Sequence, residues 1–480
     1  MTISKSLQKK KYDFVIFYPS FFETNFGKGW KRSTAEIPPI GPLYVAAPLI
    51  RAGYEVRFCD LNVEYFTDEE FSRLVLNTRI FGISFLTFQH DSAIRLINSI
   101  RKVRQDACVI AGGHHCRLTD KPFPGATVTV TTEAEEQIVE LIQAIENNRP
   151  LEHIPGLLYH SNSTLIRTPA LKNRKQLDEL LWPARELLDS GNYGFLFNAR
   201  ISKKVAGVLS SRGCVYKCSY CIRSPYPPYR ERSVESVVEE MNALYREGYD
   251  TVFMADEYFL ANQKRVARIM DELILKKIKL NIIFQTRVNT IDEDFCRKLK
   301  KGGTLAILFG IESACDDVLK FYNKKATPEQ AHKAIRAAHR AGIFTYGGFI
   351  FGAPMETRAH LQKNIAFVTR APLDFASFHH LAYMYSTPIW QEANKRGLVS
   401  DGEYCVPADE RFGGPSAKEI NRWRYRAFKK FYCRPMHILQ VIRKCVMIGN
   451  FIPCKVAFRF IIQTIRDVSK FNLIHRNLYK

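Results

Sequence analysis

Short apolar runs alternate with amphipathic stretches along most of the chain. "YDFVIFY" at 12–18 is β-branched and aromatic and stops at Pro19, as a strand does. After a Gly- and Pro-rich loop, "LYVAAPLIRAG" reads as a helix closed by Gly53. "EVRFCDLN" is a strand, about 67–78 a polar helix, and "RIFGISFLT" a strand. "DSAIRLINSIRKVRQ" is an amphipathic helix with an Asp near its start. The strands "ACVIAGG" and "ATVTVTT" follow, then the helix "AEEQIVELIQAIENN". This alternation predicts a parallel sheet with helices on both faces and a ligand at the carboxyl ends of its strands. The loops expected there are Pro19–Gly29, Thr87–Asp91 and Gly112–His115.

Residues 150–200 read as an irregular connector. From about 204 the alternation restarts, with strands at "VAGVLSS", "TVFMAD", "NIIFQT", "LAILFGI", "FTYGGFIF" and "ASFHHLAY". Helices such as "SVESVVEEMNALYREG" and "TPEQAHKAIRAAHRAG" lie between them. Six such units predict a partial (β/α)6 barrel, with active residues at the carboxyl ends of its strands. The expected fold class is α/β: a doubly wound, Rossmann-like domain over 1–150, a connector over 151–200, a barrel core over 201–400 and a basic helical region over 401–480.

A length of 480 residues accommodates two or three domains, and 46% hydrophobic with 25% charged residues excludes extended disorder. The net charge of +22 is concentrated: from Arg411 to Lys480, 16 Lys or Arg face the two acids Glu419 and Asp467. Apolar residues at helical spacing, broken by Pro435 and Pro453, predict about three helices there. An anionic lipid surface, a nucleic acid, or packing against the barrel with a solvated basic face would each suit them. The nucleic acid is the least favoured, because no RNA-binding barrel pattern is visible. No window of 18 uninterrupted apolar residues occurs, so a cytoplasmic protein is expected; in the lipid reading of the basic tail it would also be peripheral on the inner face of the membrane, and packing against the barrel is favoured equally. The twelve cysteines are then expected as thiols or metal ligands.

Three of them crowd into "SRGCVYKCSYC", at Cys214, Cys218 and Cys221. A closed structural metal site takes four ligands, so three leave one position open. Soft thiolates suit an iron–sulfur cluster, or a zinc ion completed by a distant His or Cys.

The segment "CVYKCSYC" resembles the signature of the radical SAM superfamily. "FMADEYFLAN", "FQTRVN", "FGIESACDDVLKFYNKKAT" and "GGFIFGAPMET" follow in the family's order, over roughly 200–400. The resemblance implies a 4Fe–4S cluster on Cys214, Cys218 and Cys221, with S-adenosylmethionine on the open iron as the source of a 5′-deoxyadenosyl radical. It implies contacts to S-adenosylmethionine from Tyr220 near the adenine, Asp256 and Glu257 at the amine, and Arg287 at the carboxylate. Glu312 and Ser313 would serve the nucleoside, and Phe351 the adenine-side strand. Pro354-Met355-Glu356-Thr357 departs from the family's Pro-Gly-Glu-Thr, so a different local turn is expected.

"IPPIGPLYVAAPLIRAGYEV", "FGISFLTFQHDSAIRLI" and "VIAGGHHCRL" resemble the cobalamin-binding subgroup, which includes hopanoid methylases and the anaerobic Mg-protoporphyrin ester cyclase. "KKFYCRP" resembles the tail of such enzymes. The corrin would lie near Thr87, Phe88, Gln89, Gly112, Gly113 and His114, and no Asp-x-His-x-x-Gly motif offers a cobalt ligand. Thr132-Glu133-Ala134-Glu135 replaces the usual Gly-Glu-Gly-Glu, and its added bulk is expected to restrict approach to a ligand. The implied activity is methylation of an unactivated carbon in an apolar lipid, tetrapyrrole or secondary metabolite, with an electron from a flavodoxin or ferredoxin. The alternatives are a radical cyclase with the same cofactors, a transfer-RNA methylthiotransferase with a second cluster on Cys59, Cys108 and Cys116, and a membrane-associated cofactor-binding protein without turnover.

Overall fold

The computed structural model describes residues 11–21, 35, 37–171, 175–196, 199–222, 229–289, 291–448 and 451. The chain divides into two compact units that meet in sequence at Tyr193 and Gly194.

The first unit is built on β1 (Phe14–Tyr18), β2 (Val56–Asp60), β3 (Ile80–Ser84), β4 (Cys108–Gly112) and β5 (Val128–Val130), all parallel. Helices α1 (Ile40–Arg51), α2 (Asp68–Leu76), α3 (His90–Val103) and α4 (Ile138–Glu146) connect or follow them. All five residues of β1 are buried, because both faces of the sheet are covered. Phe14 and Ile16 pack with Leu43, Leu49 and Leu141; Val15 and Phe17 pack with Val75, Phe81 and Ile97 on the other face. Thr67 and Glu70 close a capping box that starts α2 where the polar pattern does.

The connector is more regular than its sequence suggests. β6 (Leu157–Ser161) and β7 (Thr164–Arg167) form an antiparallel hairpin that extends the sheet to the order β2-β1-β3-β4-β5-β6-β7. Asn162 and Ser163 both take positive φ, 47° and 68°, the two-residue turn that matches strand twist. The outer strand is almost wholly exposed, so no continuous apolar run marks it.

The second unit holds six parallel strands paired in chain order: β8 (Val205–Val208), β9 (Thr251–Met254), β10 (Asn281–Thr286), β11 (Thr304–Glu312), β12 (Phe344–Phe351) and β13 (Phe375–His380). β8 and β13 do not pair with each other, so this is an open partial barrel. Its helices are α5 (Val234–Arg246), α6 (Gln263–Leu275), α7 (Glu293–Lys301), α8 (Asp316–Phe321), α9 (Pro328–Arg340), α10 (Arg358–Arg370) and α11 (Pro388–Lys395). The expected last strand stops at His380; Ala382–Met384 pairs instead with Cys405–Pro407.

Two tail helices follow, α12 (Ala417–Tyr432) and α13 (Pro435–Ile448). Both dock on the barrel. The Tyr432 hydroxyl donates to the Ala376 carbonyl at 2.8 Å and accepts from the Ala376 amide at 2.9 Å. Val441 and Cys445 of α13 pack on Phe344, and Lys444 donates to Asp374 at 2.6 Å and to the Ile343 carbonyl at 2.7 Å. A third tail helix, after Pro453, lies outside the described residues. Among the described residues, no helix is long and apolar enough to cross a membrane.

Thr132 and Gly156 make a testable pair. A Cβ on Gly156, at φ +73°, would lie 1.6 Å from the Thr132 methyl. Gly156→Ala should lower the melting temperature of the first unit in calorimetry, by roughly 2–3 kcal/mol in stability. Adding Thr132→Ala should restore only part of it, because the backbone strain remains.

Candidate functional site

The cysteine loop leaves the end of β8, and a buried carboxylate holds its root. Asp256, just past β9, accepts from the Ser210 amide at 2.8 Å and the Ser210 hydroxyl at 2.7 Å, and also bonds the Ser211 hydroxyl. Arg265 of α6 donates to the Ser210 carbonyl at 2.9 Å and to the Arg232 carbonyl at 2.6 Å. Arg232 in turn pairs with Glu240, both buried. Glu257 accepts from the Gly213 amide at 3.1 Å, one residue before Cys214.

The far side of the loop is stapled to the segment after β11. The Ser219 amide donates to the Tyr322 carbonyl at 3.0 Å and its hydroxyl to the Phe321 carbonyl at 2.8 Å. Asn323 donates to the Lys217 carbonyl at 2.7 Å. The loop is therefore fixed on both flanks, and backbone atoms carry much of the restraint.

Arg287, at the end of β10, donates to the Cys218 sulfur at 3.1 Å and lies 3.7 Å over the Tyr216 ring. Its Nε and Nη2 are buried with no hydrogen-bond partner among the described residues. A buried guanidinium with open donors beside thiols is matched to an anionic occupant. Burial raises the Cys214 thiol above its ordinary value; nearby Cys218 adds to this and Arg287 opposes it.

The Tyr220 hydroxyl donates to Glu312 Oε1 at 2.8 Å, and Lys324 Nζ donates to the same oxygen at 2.7 Å. Burial first, and then Glu312, hold the Tyr220 phenol well above its ordinary value. Glu312 takes a left-handed backbone, φ 66°, where the register with β12 shifts. Gly310 permits the approach: a Cβ there would sit 2.6 Å from Glu312 Oε1 and 2.9 Å from Lys324 Nζ. Tyr220 and Glu312 themselves line a cavity of about 340 Å³, whose apolar walls include Leu308, Phe309, Ile350 and Met384 and whose further polar groups are Gln285, His379 and His380.

Several expected contacts change. Asp256 is fully buried and bound to the serines, so it braces the loop rather than facing a ligand amine. Ser313 is also buried, bonded to Asn364 at 3.2 Å and accepting from the Cys315 amide, so it is not a nucleoside contact. The Phe351 ring belongs to the core against Phe378, and its carbonyl accepts from the Leu381 amide at 2.8 Å. Pro354-Met355-Glu356-Thr357 needs no glycine: Met355 has no positive φ, and Glu356 accepts from the Gly352 and Ala353 amides at 2.5 and 3.1 Å. Sequence reasoning missed Arg265, Lys324 and Gly310. The Lys324 signal was present in "FYNKKAT", but nothing local links it to Glu312.

In the first unit, β1 and β3 are neighbours while β2 lies outside β1, which puts the topological switch point at their carboxyl ends. Thr87, Phe88 and Gln89 form a 3-10 turn there. Thr87 Oγ1 is buried with no hydrogen-bond partner among the described residues, and the Phe88 ring is 38% exposed. Gln89 faces inward: it accepts from the Leu86 amide at 2.8 Å and donates to the Pro19 carbonyl at 2.5 Å, so it ties the turn to β1 instead of meeting a ligand. Gly112 ends β4. Gly113 backs onto the Phe85 main chain, and His114 enters the turn at His115–Arg117. Of the expected loop Pro19–Gly29, residues 22–29 lie outside the described residues. The Thr132 methyl fills the space beside Gly156, so its bulk points into the fold. The Thr87 hydroxyl, unpartnered among the described residues, and the exposed Phe88 at the switch point are the groups that fit a cofactor laid on the strand ends.

The second-cluster reading fails on register. Cys59 lies level with Phe17, which is level with Ile83 and so with Ala111, whereas Cys108 starts β4 three residues earlier. The two are three strands apart, roughly 14 Å at ordinary spacing, with a further 10 Å or so along the strand. Cys59 and Cys116 are both fully buried.

Two family models match the chain: the radical SAM superfamily over residues 208–368 and the B12 binding domain over residues 31–142. The chain thus carries a B12-binding domain followed by a radical SAM domain, and its relatives include enzymes named as methyltransferases. These families imply a 4Fe–4S cluster, S-adenosylmethionine and cobalamin as its cofactors.

An uncharacterised methyltransferase of Pyrococcus horikoshii is 27% identical over 421 residues, 84% of this chain and 90% of that protein. The anaerobic magnesium-protoporphyrin IX monomethyl ester cyclase of Cereibacter sphaeroides is 26% identical over 399 residues, 79% of this chain and 64% of that protein. The solved radical S-adenosylmethionine methyltransferase TsrM of Kitasatospora setae shares the fold, with a TM-score of 0.64 and 18% identity over 81% of this chain and 75% of that one.

Two outcomes are expected. Anaerobic reconstitution should load about four irons per chain, and Cys218→Ala should lose most of them in metal analysis. Burial, opposed by the serine hydrogen bonds, raises Asp256 from 3.8 to about 6. A carboxyl whose value is raised on folding binds protons more tightly in the native state. Its stabilising contribution is full below pH 3.8 and is lost as pH rises to about 6. Between about pH 4 and pH 7, apo-protein should lose on the order of 3 kcal/mol more than Asp256→Asn in urea unfolding.

Proposed function

We propose that this enzyme methylates an unactivated carbon of an apolar small molecule: a lipid, tetrapyrrole or secondary metabolite. The observation that carries the reading is the cavity beside Tyr220 and Glu312, walled mainly by aliphatic and aromatic side chains. Such walls bury an apolar substrate while a few polar groups orient it. The methyltransferase from Pyrococcus horikoshii, matched across most of both chains, supports the methyl-transfer outcome.

When bound, the cluster with S-adenosylmethionine supplies an adenosyl radical that takes hydrogen from carbon, and cobalamin supplies a methyl carrier. Cys214, Cys218 and Cys221 would hold the cluster, three protein ligands leaving a position for the amino acid end of S-adenosylmethionine. Arg287 offers its open Nε and Nη2 to an anion at that end. Glu312, held by Tyr220 and Lys324, presents an acceptor to the nucleoside hydroxyls. The apolar walls exclude water from the reacting carbon.

Residues 201–400 serve as the catalytic core and 1–150 as the cobalamin-binding domain in this reading. A flavodoxin or ferredoxin supplies the electron, and the enzyme works in the cytoplasm. A ring-forming oxidation is the second reading, favoured by the cyclase of Cereibacter sphaeroides.

The test is anaerobic incubation of the reconstituted enzyme with cobalamin, S-adenosylmethionine, a reductant and a panel of apolar substrates. Methyl transfer predicts S-adenosylhomocysteine and 5′-deoxyadenosine in similar amounts. 5′-Deoxyadenosine alone, with an altered substrate, indicates ring formation. Neither product with any substrate overturns catalysis in favour of cofactor binding without turnover.

A further inference from the structure

We infer that the outward face of α13 is a docking surface for an anionic lipid bilayer. The inner face of this helix is already used: Val441 and Cys445 pack on the barrel and Lys444 is tied to Asp374. The opposite face is also apolar. Met436, Leu439, Ile442, Val446 and Met447 recur at helical spacing and are 45–75% exposed. Five large apolar side chains in one stripe exceed the scattered singles that a water-facing surface normally carries.

Charge selects the occupant. Residues 420–448 contain eight Lys or Arg and no Asp or Glu. Arg443 on α13 and Arg426, Lys429 and Lys430 on α12 are exposed. An exposed apolar stripe with Arg443 set into it, one turn from both Leu439 and Met447, and with further exposed cations on α12, is the chemistry of a helix lying in the headgroup region, where a long basic side chain can reach up to the phosphates. The stripe would sit among acyl chains and the cations against lipid phosphates. A nucleic acid would satisfy the cations but leave the stripe in water. A second copy would bring two basic surfaces together without a counter-charge. The Lys444–Asp374 pair and the Tyr432 hydroxyl bonds fix α12 and α13 on the barrel, so the surface is presented on a rigid platform.

This inference goes beyond the methyl-transfer reading and does not depend on turnover, so the two can fail separately. The reconstituted full chain is sedimented with vesicles of phosphatidylcholine alone or of equal phosphatidylcholine and phosphatidylglycerol. Binding is expected to the anionic vesicles and to fall several-fold at high salt. Leu439→Glu and Met447→Glu, both outward-facing, should each reduce binding about tenfold or more. Their melting temperature and iron content should stay native. Arg443→Glu with Lys430→Glu should reduce it several-fold.

Native-level vesicle binding by Leu439→Glu and Met447→Glu overturns the proposal. So does a lipid-free dimer that dissociates on Leu439→Glu, which would make the face a contact between copies. Tight binding of a single-stranded RNA oligonucleotide, unaffected by Leu439→Glu, overturns it in favour of nucleic acid. Absence of native vesicle binding overturns it as well.

Discussion

The site depends on one buried carboxylate. A loop with three cysteines in eight residues has little apolar surface of its own with which to hold a shape. Asp256 supplies the restraint by gathering the Ser210 amide and the two serine hydroxyls at the end of the first barrel strand. Arg265 completes the anchor from behind through the Ser210 and Arg232 carbonyls. Removing one partner from such a buried network leaves an uncompensated polar group, typically at a cost of about 3–5 kcal/mol where a charge is involved. The network is therefore a fixed foundation, and the three cysteine sulfurs need only short spans of chain beyond it.

A second clamp works from the opposite side of the barrel. Glu312 carries two donors on one oxygen and sits on a strained backbone, and Gly310 leaves the space that lets Lys324 reach it. Strain of this kind persists where surrounding structure over-determines it, which is common at ligand sites. The sequence ESACDDVLKFYNKK joins this clamp to the cysteine loop, because the same segment that supplies Lys324 also holds Ser219 and Lys217. The cysteine loop, Glu312 and the cavity are thus braced by one continuous stretch of chain. The paired tail helices add a different constraint, since their inner face stabilises the barrel while their outer face remains apolar.

Period and spacing made much of this legible. The parallel strands of both units follow from apolar runs separated by amphipathic helices, and the loop between β8 and α5 follows from the three cysteines. What escaped were features that depend on long-range partners. β7 was hidden because an exposed edge strand has no need of apolar residues. Asp256 next to Glu257 suggested two similar ligands, yet burial separates them: one is closed within the protein and the other holds the Gly213 amide. Thr132 looked like an obstruction because its accommodating glycine lies at position 156, in the turn that leads into β6, a strand that the sequence does not reveal. Gln89 and Ser313 looked available because their inward orientation is set by tertiary contacts to Pro19 and Asn364.

The central claim is an iron–sulfur cluster with one iron left open for S-adenosylmethionine by a three-cysteine loop. Electron paramagnetic resonance of the reduced, reconstituted protein tests it directly, before and after addition of S-adenosylmethionine. The account predicts a 4Fe–4S signal whose g values change on addition, because a ligand has joined the cluster. An identical spectrum in both samples, from a protein with full iron content, would contradict it.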